Sequence, residues 1–274
     1  MHRSALIAGV LLCVAVTSLG AQPLEYQVPH GAGKFARIVY PASGVVDTTE
    51  GSIELWVRNE FDPGVKLGNL FYPPAAYAVV AEPDGSDQRL HILTRSVTNG
   101  RDMGYILGKS MSFISVTDPA RFGWSKPGEW HSVAFTWKLE GARYTLSMYQ
   151  DGRLVSREAD TATVIPTIGP ETELAVGSTG EGPAFITVDE VRVSAVARTP
   201  EEIAAAFASR EAFQWDALTV LLDHCDAQPV PPAGSCTYTT ADGVRGRVLG
   251  AAQSVDGRFG KALRLHAIEE VLPR

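Results

Sequence analysis

The sequence predicts an all-β protein, an antiparallel two-sheet sandwich with one short helix on its C-terminal side. Three observations carry this prediction. From about Leu24 onward, short runs of alternating apolar and polar residues are broken by Gly, Pro, Asp and Asn. Asp151-Gly152 separates two such runs, and both central residues of a type I′ hairpin turn need a positive φ that this pair tolerates. Only one segment of the mature chain, Pro200 to Ser209, carries clear helical signals.

In chain order, strands are expected at Ala36–Tyr40, Ser52–Arg58, Ala76–Ala81, Arg89–Thr94, Trp130–Lys138, Tyr144–Gln150, Arg153–Arg157, Glu173–Val176 and Phe185–Ser194. The stretch GEWHSVAFTW, Gly128 to Trp137, shows why. His131, Val133, Phe135 and Trp137 fall on one face of the pleat, mostly large and apolar, so that face reads as core. His131 then reads as a structural residue, and Trp130 faces the other way. In the helix, Thr199 can cap the free amides, Pro200 suits the first position, Glu202 completes a capping box, and Ile203 with Phe207 makes the buried stripe. Beyond Arg210 come a short strand at Val220–Asp223, a loop rich in proline, and another strand at Ala262–His266.

The 274 residues suffice for one large β domain with an appendage. A composition 45% hydrophobic and 20% charged supports a sizeable core. The net charge of −7, with no run of basic residues, argues against a nucleic-acid or anionic-membrane partner. Residues 1–20 read as a secretory signal: His2 and Arg3, an apolar run from Ala5 to Val16, then small residues at Ser18 and Gly20. The run is short of the ~18 to 20 residues that span a bilayer, so the mature chain is expected to be secreted or periplasmic, without a membrane partner after cleavage.

Removing the signal takes Cys13 with it and leaves Cys225 and Cys236, an even number in an oxidising compartment. A bridge between them would close a short loop and stabilise the fold by roughly 2 to 3 kcal/mol. Free thiols are the alternative, and the spacing matches no familiar zinc motif.

Four pieces line up in order: GSIELWVR at Gly51, GEWHSVAFTWK at Gly128, YQDGRLV at Tyr149, and ITVDEVRVSAVARTPEEIAAAF at Ile186. Together they resemble the laminin G-like members of the concanavalin A-like jelly-roll superfamily, over residues 23–210. The resemblance implies a jelly-roll sandwich. The tail, 211–274, is similar to the opening of such a domain: LLDHCDA resembles its first strand and GRFGKALRL a later one. It either completes the first sandwich or begins a partial second copy, and strand donation is favoured because a free half-sandwich would expose edges. A weak echo between Gly33–Ile38 and Gly260–Leu265, a shared GKxxR, hints at a partial repeat.

Related jelly rolls include glycosidases and lyases, so catalysis needs testing. Retaining glycoside hydrolysis needs two carboxylates about 5 Å apart. Glu54 stands alone between Ile53 and Leu55, and Asp189 and Glu190 fall on opposite faces of a regular strand. No HxH, HExxH, nucleophile elbow or phosphate loop is present. Catalytic residues are therefore not assigned. The resemblance implies a structural calcium near the last strand and makes Asp189 its nominated ligand, with backbone carbonyls from the N-terminal region as partners; no other cofactor is expected. Sugar stacking needs exposed rings, and Tyr72 and Tyr77, with Phe71, form the best loop candidate. Trp124, with Phe122, is second.

The expectation is a secreted, non-catalytic module that binds carbohydrate or an extracellular protein. Its alternatives are a polysaccharide-acting hydrolase or lyase, and a purely structural interaction domain.

Overall fold

The computed structural model describes residues 36–60, 75–81, 90–97, 100–107, 112–116, 128–161, 165, 167–177, 186–226, 236–239, 243–250 and 252–265, with the backbone course along 75–116 and 236–239. Two antiparallel sheets face each other, as expected. The first contains β1 (Arg37–Pro41), β3 (Ala75–Ala81), β4 (Leu90–Val97), β5 (Gly100–Leu107), β6 (Ser112–Val116), β10 (Glu173–Gly177), β13 (Cys236–Thr239) and β14 (Arg245–Leu249), in the order β13-β14-β1-β10-β3-β4-β5-β6. The second contains β2 (Glu50–Asn59), β7 (Trp130–Glu140), β8 (Arg143–Gln150), β9 (Arg153–Thr161), β11 (Ile186–Ser194), β15 (Ala252–Asp256) and β16 (Lys261–Leu265), in the order β15-β16-β11-β2-β7-β8-β9. A further strand, β12 (Thr219–Asp223), also pairs with β11.

Alternation decides which side chains meet between the sheets. Ile53, Leu55 and Val57 of β2 and Val133, Phe135 and Trp137 of β7 enter one continuous core with Ile38 and Tyr40 of β1 and Leu174 and Val176 of β10. Gly51 is required here by close approach: a Cβ at that position would collide with the Trp137 indole. The Asp151-Gly152 turn has φ values of 50° and 72°, as a type I′ turn demands. The helix α1 (Pro200–Ser209) has the full capping box between Thr199 and Glu202. Strands β5, β6, β13, β14 and β15 were not expected from the sequence, because glycines and mixed polarity blur their alternation. Among the described residues no helix is long and apolar enough to cross a membrane.

The tail is woven into both sheets. β14 lies beside β1, while β12 and β16 share the same side of β11. β16 pairs with Ile186–Val188 and β12 with Val191–Ser194. The exchange of partners falls at Glu190, whose φ of 57° puts a non-glycine residue in the left-handed region, and the β2–β11 register shifts across the same point. The GKxxR echo does not correspond to equivalent strands, since β1 belongs to the first sheet and β16 to the second.

The Cys225–Cys236 bridge is not formed. Cys225 is a free thiol buried in the core after β12, whereas Cys236 opens β13 at the edge of the other sheet. An even cysteine count in an oxidising compartment had suggested the bridge, but the strands that flank the two cysteines, β12 and β13, belong to opposite layers.

Candidate functional site

The outward face of the second sheet is divided into a covered end and an open end. At the covered end, Ile203 of α1 packs on Ala134 and Tyr149. Phe207 stacks on Trp56 at 5.8 Å, and Phe259 meets the same indole edge-on, also at 5.8 Å. Beside them Glu54 accepts from Arg192 Nε at 2.9 Å and Nη2 at 2.8 Å, with Arg198 Nε 3.3 Å away. The Phe213 ring covers the Arg192 guanidinium. Glu54 is thus a buried ion-pair acceptor without access to a substrate.

Asp189 and Glu190 were expected on opposite faces, and the left-handed kink corrects this by turning both toward the tail. Asp189 Oδ2 accepts the amides of Arg258 and Phe259 at 2.7 and 2.9 Å. Glu190 accepts the Phe213 amide at 2.8 Å and is bonded to His224 Nδ1 at 2.8 Å. Burial, aided by the neighbouring charges of Glu190 and Asp226, pushes the Asp189 carboxyl up to about 7 despite those two amides. Burial also raises Glu190, against the pull of His224 and the Phe213 amide. Both acids hold tail segments and lie out of solvent.

Calcium takes six to eight oxygens; Asp189 Oδ2 is taken by two N–H donors of the turn between β15 and β16, its buried Oδ1 has no hydrogen-bond partner, and residues 1–35, the N-terminal region expected to supply carbonyl ligands, lie outside the described residues. Among the described residues no group of three His, Cys, Asp or Glu could hold a metal.

At the open end, one row crosses five strands in register: Trp130, Arg58, Thr187, Arg264 and Gln253. Two members of this row, Arg58 and Arg264, line an open trough of about 510 Å³ together with Ser254, Val255, Asp256 and Lys261, while Trp130 packs against the cluster of Trp56, Phe213 and Leu222. The Arg58 guanidinium lies 5.0 Å from the half-buried Trp130 ring and donates from Nε to Glu60 at 2.8 Å. Thr187 Oγ1 donates to the same Glu60 oxygen. Burial favours the neutral acid, but the Thr187 hydrogen bond and the guanidiniums of Arg58 and Arg264 hold Glu60 below its ordinary value. Glu60 is therefore a fixed anion that orients the cations around it.

His131 is buried with Nδ1 2.8 Å from Asp151 of the hairpin turn, which makes it a structural residue. Tyr77 falls at the irregularity of β3 between Ala76 and Ala78, where the register with β4 shifts. Tyr72 and Trp124 lie outside the described residues, as do residues 1–20. The trough was missed because its residues come from β2, the segment after it, β15 and β16. The alternation around Trp56 and Arg58 marks an outward face, but nothing local indicates that Arg264 joins it.

The family described as the concanavalin A-like lectin/glucanases superfamily, in its laminin G-like branch, matches residues 33–204. No curated protein matches significantly. Among solved structures, a heptameric pentraxin from Limulus polyphemus is similar at 11% identity, with a TM-score of 0.46 over 69% of this chain and 82% of that one. A botulinum neurotoxin type C structure, titled for cell entry through two ganglioside molecules, is similar at 14% identity with a TM-score of 0.44. It covers 64% of this chain and is itself covered over 39% of its length. A Trypanosoma rangeli sialidase is similar at 13% identity and a TM-score of 0.41, over 60% of this chain and 23% of the sialidase.

Proposed function

From a chain that belongs to the laminin G-like branch of the concanavalin A-like lectin/glucanases superfamily, we propose a secreted, non-catalytic recognition module that binds carbohydrate through the trough beside Trp130. The carrying observation is the open polar trough lined by Arg58 and Arg264, with the half-buried Trp130 indole next to Arg58 on the same face. A sugar's apolar face stacks on a ring, while planar guanidiniums supply donors to its oxygens. Against catalysis, the acids that β2 and β11 bring to this sheet are engaged: Glu50 by the Ala197 amide and Lys138, Glu54 by Arg192, Asp189 by two amides, Glu190 by His224 and Phe213.

A glycan array probed with the mature protein, in calcium and in chelator, tests this reading. Binding to a subset of glycans is expected in both conditions and is expected to weaken in Trp130→Ala. A silent array with folded protein overturns the carbohydrate reading and leaves an extracellular protein as the partner. Release of reducing or unsaturated ends from a bound polysaccharide overturns the non-catalytic one.

A further inference from the structure

We infer that the trough selects saccharides bearing a carboxylate, such as uronate-containing chains; this rests on the carbohydrate reading and specifies its ligand class. The chain carries a net charge of −7, yet the lining brings Arg58, Lys261 and Arg264 together. Two acids adjoin them, and each is already engaged. Glu60 is taken by Arg58 and Thr187, and the exposed Asp256 is bonded to Lys261 Nζ at 2.7 Å.

Glu60 is shared: it is bonded to Arg58 and Thr187 and also pairs with Arg264, whose buried Nε lies 3.8 Å from it and makes no hydrogen bond. One carboxylate thus faces two guanidiniums. The Arg264 side chain is 31% exposed toward the trough. Glu60 alone does not balance the two guanidiniums, and a second anion reaching the exposed part of the Arg264 side chain would complete the pairing. A carboxylate suits that guanidinium best, because two parallel N–H donors match two carboxylate oxygens. Thr187 separates Arg264 from Arg58 by one strand on each side, and Glu60 holds Arg58 in place. The second guanidinium is thereby preorganised beside the first, which lowers the ordering cost of binding. Trp130 lies beyond Arg58 in the same row, with the Arg58 guanidinium over its ring, so a chain crossing the strands would meet both cations before the partly covered indole.

The test is affinity electrophoresis of the mature protein in gels containing polygalacturonate, a sulfated polymer (dextran sulfate) or neutral dextran and xyloglucan, at two salt concentrations. Polygalacturonate is expected to retard the protein most strongly, and retardation is expected to fall with salt. Arg264→Gln is expected to weaken it by about tenfold, the loss of one charge-assisted contact. Arg153→Gln makes the same charge change at an exposed position on β9, at the far edge of the sheet, and is expected to change nothing. Retardation by neutral polymers alone, or by all polymers equally and without loss in Arg264→Gln, overturns carboxylate selectivity while sparing the carbohydrate reading. Stronger retardation by dextran sulfate than by polygalacturonate replaces carboxylate by sulfate and overturns the class named here. No retardation in any gel, together with a silent array, overturns both readings.

Discussion

The phenol of Tyr40 donates to Asp223 Oδ2 at 2.6 Å with both residues buried. Tyr40 lies in β1 of the first sheet and Asp223 ends β12 beside the second, so the bond joins the two layers through the core and ties the tail to the domain. Asp223 Oδ1 accepts the Cys225 amide in addition. Tyr40→Phe leaves this buried carboxylate short of a donor and is expected to cost about 1.5 to 3 kcal/mol. A urea midpoint equal to that of the parent protein would show that the hydroxyl contributes nothing.

The Glu54–Arg192 pair is buried, and removing one partner strands the other. Arg192→Met is expected to destabilise by about 3 kcal/mol, at the low end for a broken buried pair because Arg198 stays 3.3 Å from Glu54. The double change Glu54→Leu with Arg192→Met is expected to recover much of that loss, since no charge then remains uncompensated at the pair. Chemical denaturation of both variants checks this, and a double variant weaker than the single one counts against it.

Asp189 makes stability depend on pH. Its folded value of about 7 stands above the ordinary 3.8, so its contribution is fully present below pH 4 and is lost as pH rises toward 7. Glu190, also raised, acts in the same direction. Glu60 and Asp216 are lowered and act oppositely, losing their contribution only below their ordinary range near pH 4. Melting temperature is therefore expected to fall between about pH 5 and 7, with a shallower slope in Asp189→Asn. Parallel slopes in the two proteins would mean that Asp189 does not titrate there.

Gly51→Ala forces a methyl group into the Trp137 indole, which is itself held by its bond from Nε1 to the Asp47 carbonyl at 2.7 Å. The expected loss is about 1 to 3 kcal/mol. Thermal unfolding with tryptophan fluorescence would register both the loss and the displaced ring.

Cys225 is expected to resist alkylation in the folded protein. Burial pushes its thiol well above the ordinary value, and the charges of Asp223, Asp189 and Glu190 add to the shift. Unfolding should expose it to iodoacetamide. An intact mass two hydrogens short, restored by reductant, would show instead that it is bridged.

Much of the fold was legible from neighbours in the chain. The core faces of β2 and β7, the Asp151-Gly152 turn and the capped helix depend on residues within a few positions of one another. The five unexpected strands lack that local signal, and β14 takes its place through pairing with β1 rather than through its own composition.

Which outward-facing residues become a trough, and which become anchors, depends on partners far away in the chain. Asp189 reads locally as an acid on a strand; its role follows from amides 69 and 70 residues later, delivered by the turn between β15 and β16. Arg264 gains its position only because β16 pairs with the first half of β11 and leaves the second half to β12. Alternation and turn chemistry determine what each segment is, because their causes are local. Tertiary pairing decides which segments meet, and the trough exists only where β2, β11, β16 and β15 lie side by side.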